Sequence, residues 1–170
     1  LEYVEHLLQQ GSKFLLFAHH HTMLDSLEQK LTQLKTSHIR IDGRTANAKR
    51  PVLVEKFQED DTVRVALLSI TAAGAGLTLT AAQTVVFAEL YWVPGQMMQA
   101  EDRAHRIGQH CCVTVQFLVA RETLDDVLYR SLERKARDTS HILDGRQSGL
   151  AAPQSSCSSA VAQVAQAQPP

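Results

Sequence analysis

One glutamine and two arginines carry the plainest chemistry in the sequence. In Gln99-Ala100-Glu101-Asp102-Arg103-Ala104-His105-Arg106-Ile107-Gly108-Gln109, the residues Gln99, Arg103 and Arg106 are spaced four and three apart, which on a helix puts them on one face. Two guanidinium groups on one face make a clamp suited to phosphate oxygens, because each presents a planar fork of donors. Glu101 and Asp102 are expected to hold those arginines in place. For an arbitrary arginine pair the commoner outcome is an exposed, salt-bridged helix, so spacing alone leaves both readings open.

Other stretches are weaker. Gly74-Ala75-Gly76 follows an apolar run, where absent side chains let backbone N–H groups approach a ligand; a plain turn has the same signature. A dinucleotide site fails because no acidic ribose partner stands at the right place in a G-x-G-x-x-G unit. His19-His20-His21 invites zinc, but consecutive side chains point in different directions and no paired cysteines lie nearby, so no metal site is expected. Asp42-Gly43 is a turn signal. Neither a G-x-x-x-x-G-K-[ST] phosphate loop nor an Asp-Glu pair for magnesium occurs.

These residues need positioning, and the hydrophobic pattern supplies the elements. Strands are predicted at 13–18, 37–41, 63–68, 84–88 and 113–119. Leu24, Leu27, Leu31 and Leu34 recur at helical spacing, with Thr22 and Asp25 as a capping box. Val52, Leu53, Lys56 and Phe57 predict a second helix with Pro51 in its first turn. Residues 94–105 contain helix formers. A helix over 123–137 has Thr123 and Asp126 at capping-box spacing and Leu124, Val127, Leu128 and Leu132 on one face. Strands alternating with helices imply an α/β fold, a parallel sheet between two helical layers, with ligands beyond the strand C-termini. The chemistry should therefore sit at 18–21, 42–45, 69–76 and 89–95.

The bulk properties set limits. The 170 residues suit one domain of 1–145 and a tail of 146–170. Seventeen Lys and Arg against 18 Asp and Glu give a net charge of −1, so nucleic-acid binding must come from local clusters. Three cysteines (Cys111, Cys112, Cys157) give no Cys-x-x-Cys pair and fit a reducing compartment. No apolar run is long enough for a membrane. The chain starts at Leu1, which reads as a segment of a longer protein. From Gln147 to Pro170 no charged residue occurs; the stretch is Ala, Gln, Ser and Pro with scattered Val, and it is expected to be disordered.

The arginine segment resembles motif six of the SNF family of superfamily-two ATPases almost letter for letter. Other motifs of that family's C-terminal lobe follow in order. Phe14-Leu15-Leu16-Phe17-Ala18-His19-His20 is similar to motif four, and Arg40-Ile41-Asp42-Gly43-Arg44-Thr45 to the R-x-D-G-x-T element. Residues 66–82 resemble motif five, and Val85 to Gly95 the next strand with its W-x-P loop. The resemblance spans roughly residues 1–145. Motif five here lacks the family's usual basic residue, and Gln83 stands where remodellers commonly carry Asp. These departures, with Phe17-Ala18-His19-His20 and Phe87-Ala88-Glu89-Leu90-Tyr91-Trp92, lean toward the annealing-helicase branch, some of whose members bear zinc fingers and endonuclease activity and act at stalled replication forks.

The resemblance implies a RecA-like, P-loop NTPase-like helicase C-terminal lobe, part of an ATP-dependent translocase on double-stranded or forked DNA in the nucleus. It implies Arg106 as the arginine finger and Arg103 as its companion, with Gly74, Gly76 and Gln99 also at the nucleotide. It implies DNA contacts from His19, His20, Arg44, Ser69 and Thr71. ATP and Mg2+ would be bound mainly by a first lobe of the same protein, so the isolated chain should be inactive; replication-fork proteins are further expected partners. The alternative is a truncated, non-catalytic module that binds DNA or a partner.

Overall fold

Alternation along the central strand explains why the sheet has two covered faces. In the computed structural model β1 (Phe14–Ala18) is buried throughout; Leu15 and Phe17 join one core, while Phe14, Leu16 and Ala18 join another. A strand buried on both sides reads as a continuous apolar run, as this one does. The structure describes residues 2–72, 77–104 and 113–143, with side chains through Lys135. The expected tail at 146–170 lies outside the described residues.

The elements run α1 (Glu2–Gln9), β1, α2 (His21–Gln33), β2 (His38–Ile41), α3 (Arg50–Glu59), β3 (Val65–Ser69), β4 (Thr84–Phe87), α4 (Pro94–Glu101), β5 (Thr114–Phe117) and α5 (Leu124–Leu143). The strands form one sheet in the order β2-β3-β1-β4-β5, with every pairing parallel. Register places Phe17 opposite Phe87 and Phe87 opposite Phe117. Their rings stack at 5.2 and 5.1 Å, making an aromatic ladder across three strands. Phe57 from α3, Met97 and Ala100 from α4, and Leu128 and Leu132 from α5 cover that face. Val4 and Leu7 from α1, with Leu24, Leu27 and Leu31 from α2, cover the other.

Three sequence expectations need correction or addition. Helix α1 was not predicted; Val4 and Leu7 are its buried residues. Thr22 and Asp25 do not cap α2, which begins at His21 with His20 as N-cap and no side-chain cap from that residue. Asp25 instead binds Arg40 at 2.7 Å. At α5, Thr123 Oγ1 does accept the Asp125 N–H at 3.2 Å, but Leu124 and Val127 are exposed and only Leu128 and Leu132 reach the core. Pro51 lies in the first turn of α3, where its missing N–H has no helical acceptor to lose. Among the described residues no helix is long and apolar enough to cross a membrane.

Candidate functional site

Parallel register brings the C-terminal ends of β1, β3 and β4 together: Ala18 lies opposite Ser69, and Phe17 opposite Phe87. The ladder continues one step past the strands, with the Ile70 N–H donating to the Ala18 carbonyl at 3.0 Å and the Ala88 N–H to the Phe17 carbonyl at 2.8 Å. Residues 19–21, 70–72 and 88–91 therefore leave the sheet side by side, and the turn after β2 flanks them.

The three histidines each take a different partner. The His19 ring lies 4.5 Å from the Tyr91 ring and 4.8 Å from that of His20. His20 Nδ1 is 2.9 Å from Glu89 Oε1. His21 Nδ1 is 3.9 Å from Asp42 Oδ2. Glu89 also accepts the N–H groups of His19 and His20 through Oε2, at 2.7 and 2.9 Å. Burial alone would push the Glu89 carboxyl up, but the His20 N–H and ring and the His19 N–H outweigh it, so its pKa lies below the usual carboxylate range. Among the described residues no group of three His, Cys, Asp or Glu side chains is placed to hold a metal ion.

The turn after β2 is built on buried Asp42. Its Oδ1 accepts the Arg44 N–H at 2.9 Å, and its own N–H donates to Thr45 Oγ1 at 3.0 Å, an Asx-type turn that any Asp-Gly pair favours. Arg40 reaches Asp42 Oδ2 through Nε at 3.0 Å and spans to Asp25 and Glu28 on α2. Burial would ease the proton off Arg40, yet the three carboxylates more than offset it and raise its pKa. Asp42 is driven the opposite way: burial raises it, while the Arg44 N–H and Arg40 prevail and lower it. Arg44 itself is exposed, held by its backbone with its side chain at the surface. Ser69 is buried and 3.0 Å from the hydroxyl of Thr71, which is exposed.

Within the described residues the arginine segment is helical only through Glu101. Helix α4 ends at Glu101, and the Arg103 and Ala104 N–H groups bond three residues back, to Ala100 and Glu101 at 3.2 and 3.0 Å. The Arg103 carbonyl accepts the Leu79 N–H at 2.9 Å. One continuous helix through Gln99 and Arg103 is thus corrected: Gln99 is exposed on α4, and Arg103 follows its end. Arg106, Gly74 and Gly76 lie outside the described residues. Glu101 and Asp102 do not grip Arg103 either. Among the described residues Arg103 Nε and Glu101 Oε1 are both buried without a hydrogen-bond partner. Glu101 is pushed up to about 7, first by burial and then by the charge of Asp102.

Tyr91 packs against the core, whereas Trp92 is 58% exposed. The sequence pattern gives Glu89 no role, puts Arg40 in a strand and makes Asp42 a turn residue only. No local signal marks Glu89, because its partners His19 and His20 lie 70 and 69 residues away.

A parallel five-stranded sheet between two helical layers, with polar loops on one edge and an arginine turn fastened to the segment before β4, defines a helicase C-terminal lobe. The chain belongs to that family: residues 1–108 match the helicase conserved C-terminal domain. The mouse and human proteins named DNA annealing helicase and endonuclease ZRANB3 are 51% identical to it over 152 residues, covering 89% of this chain and 14% of theirs. A Caenorhabditis elegans homolog of SWI/SNF-related matrix-associated actin-dependent regulator of chromatin subfamily A-like protein 1 is 52% identical over 123 residues, covering 72% of this chain and 18% of its own. The crystal structure of the C-terminal part of the Fun30 ATPase domain superposes with a TM-score of 0.71 at 31% identity, over 74% of this chain and 41% of that one. The chain therefore spans about a seventh of the length of its annealing-helicase relatives, and its SNF-family resemblance holds.

Proposed function

We propose that this chain is the C-terminal motor lobe of an ATP-dependent double-stranded DNA translocase of the annealing-helicase type, acting in the nucleus on forked or duplex DNA. The observation that carries the reading is 51% identity to annealing helicases over 89% of the chain. Arg106 is the arginine finger and Arg103 its companion, with Gln99, Gly74 and Gly76 at the same nucleotide. A finger of this kind meets negative charge that grows on the transferring phosphoryl group. ATP and Mg2+ are held mainly by a first lobe that supplies the phosphate loop and the magnesium carboxylates; the groups this chain offers are donors for phosphate oxygens, and Arg103 Nε, buried and without a partner, suits that use.

DNA is gripped through its phosphates at the sheet edge, by His19, His20, Arg44 and Thr71, with buried Ser69 acting through the Thr71 hydroxyl. The Asx-type turn supports this role for Arg44, because it fixes the backbone and leaves the guanidinium exposed. The bond between the Leu79 N–H and the Arg103 carbonyl supports coupling of DNA grip to nucleotide state, since it ties the segment following β3 to the arginine turn. The test is ATP turnover by this chain alone and by the full-length protein. The chain alone is expected to hydrolyse no ATP above background, with or without DNA, while the full-length protein shows DNA-stimulated turnover. Turnover by the isolated chain that Arg106→Ala abolishes would overturn the division of labour.

A further inference from the structure

Glu89 does more than tie two loops together. Helix α2 starts at His21 without a side-chain cap from His20 and without an acidic residue in its first turn. The N–H groups just ahead of it are met by Glu89, which arrives from the loop after β4, 69 and 70 residues away in sequence. The same carboxylate spends its second oxygen on the His20 ring. Glu89's side chain is mostly buried, 19% exposed, whereas that of His20 is 69% exposed. The acid is therefore a fixed post and the imidazole the part that faces outwards.

A carboxylate only accepts hydrogen bonds, so the proton on the bonded side of the ring belongs to Nδ1. His20 Nε2 bonds nothing among the described residues. The His19 ring sits between those of His20 and Tyr91, and its Nδ1 is buried without a partner.

We propose that Glu89 is a positioning residue for DNA-backbone binding, fixing His20 through its ring and through the turn's backbone so that Nε2 takes one phosphate oxygen. The proposal rests on the reading of this sheet edge as the DNA face. With a phosphate at Nε2 and the carboxylate at Nδ1, both nitrogens donate, so the bound ring is an imidazolium between two anions, its second proton drawn from solvent. A ring anchored at one nitrogen loses little rotamer freedom on meeting DNA, which is the advantage of a buried post over a free surface histidine.

The opposite role is also chemically sound. A carboxylate on the N–H groups ahead of a helix occupies a place that suits a phosphate, so Glu89 would then compete with DNA rather than prepare for it. The two roles give opposite signs. The experiment measures the affinity of the full-length protein for a short duplex of mixed sequence by fluorescence anisotropy, with salt varied over about 50–200 mM. The variants are Glu89→Gln, Glu89→Asp, His20→Gln and the double Glu89→Gln/His20→Gln.

Glu89→Gln and His20→Gln are each expected to weaken binding about tenfold, as for one charge-assisted hydrogen bond. Each should lower the salt slope by about one, which misfolding of a fraction of the protein would not do. The double variant should bind no more weakly than either single one, because both changes remove the same contact. Glu89→Asp keeps the charge and can still cap the turn, but is too short to hold the ring as well; it should also lose the slope, and it serves if the Gln variant does not fold. Tighter binding by Glu89→Gln overturns the proposal in favour of competition. Parental binding by Glu89→Gln or Glu89→Asp, with His20→Gln weakened, overturns the positioning role and leaves the DNA face standing. Parental binding by every variant overturns both, and fully additive losses overturn the coupling.

Discussion

Glu101→Gln should make the protein more stable at pH 8 and change it little at pH 5. The Glu101 carboxyl moves from an ordinary 4.5 to about 7 in the fold, because burial disfavours its charge and Asp102 adds repulsion. A raised carboxyl favours the neutral acid in the folded state. Its contribution is therefore intact below pH 4.5 and is lost as the pH climbs through 7. At about 1.4 kcal/mol per pH unit, the ionisation penalty comes to about 3 kcal/mol at pH 8 and under about 1 kcal/mol at pH 5. Glutamine has the same shape and no charge to lose. Any cost of leaving its amide unpaired, as Glu101 Oε1 is now, is the same at both pH values and cancels in the comparison. Urea unfolding of parent and variant at pH 5, 6.5 and 8 gives the two curves, and a carbon-13 titration of the side-chain carboxyl gives the pKa directly. Curves that run parallel across this range, or a carboxyl that titrates in the ordinary range, would refute the claim that this acid is desolvated beside the arginine turn.

The other expectations are simpler. Arg40→Met should destabilise the protein by about 2–3 kcal/mol in urea unfolding at pH 7, because it strands buried Asp42 with one ionic partner fewer. Asp42 and Glu89 both have lowered pKa values, so their stabilisation is present above about pH 4 and fades as the pH falls further; unfolding followed from pH 5 to pH 2 should show that loss, reduced in Asp42→Asn. Arg44→Gln in the full-length protein should weaken DNA binding equally for all base sequences and lower the salt slope by about one, read by anisotropy. Phe87→Ala, in the middle of the aromatic ladder, should cost about 3–5 kcal/mol in the same unfolding assay.

Most of the fold was legible because each strand carries its own signal. Phe14 to Ala18 and Val65 to Leu68 are apolar on both faces, as strands of a covered parallel sheet are. Helix ends were less legible. Thr22 and Asp25 had capping-box spacing, but Arg40 claimed Asp25 and Glu89 met the helix start from the loop after β4. Both competing partners are tertiary, and no local window contains them. The end of α4 was missed for the same reason: the Leu79 N–H draws on the Arg103 carbonyl from more than 20 residues away. At the candidate site the histidine loop and the Asp42 turn were visible as strand-following segments. The posts that orient them, Glu89 and Arg40, were not, since an acid or an arginine near a strand end reads equally well as surface charge.

The central claim is that this lobe completes an ATP site with an arginine that acts on the transition state. Arg106→Ala in the full-length protein tests it directly, with steady-state ATP turnover, nucleotide affinity and DNA affinity measured on one folded preparation. Turnover should fall on the order of a thousandfold or more, while ATP and DNA binding change much less, because the finger meets charge that appears only as the phosphoryl group transfers. Near-parental turnover in that variant would contradict the account.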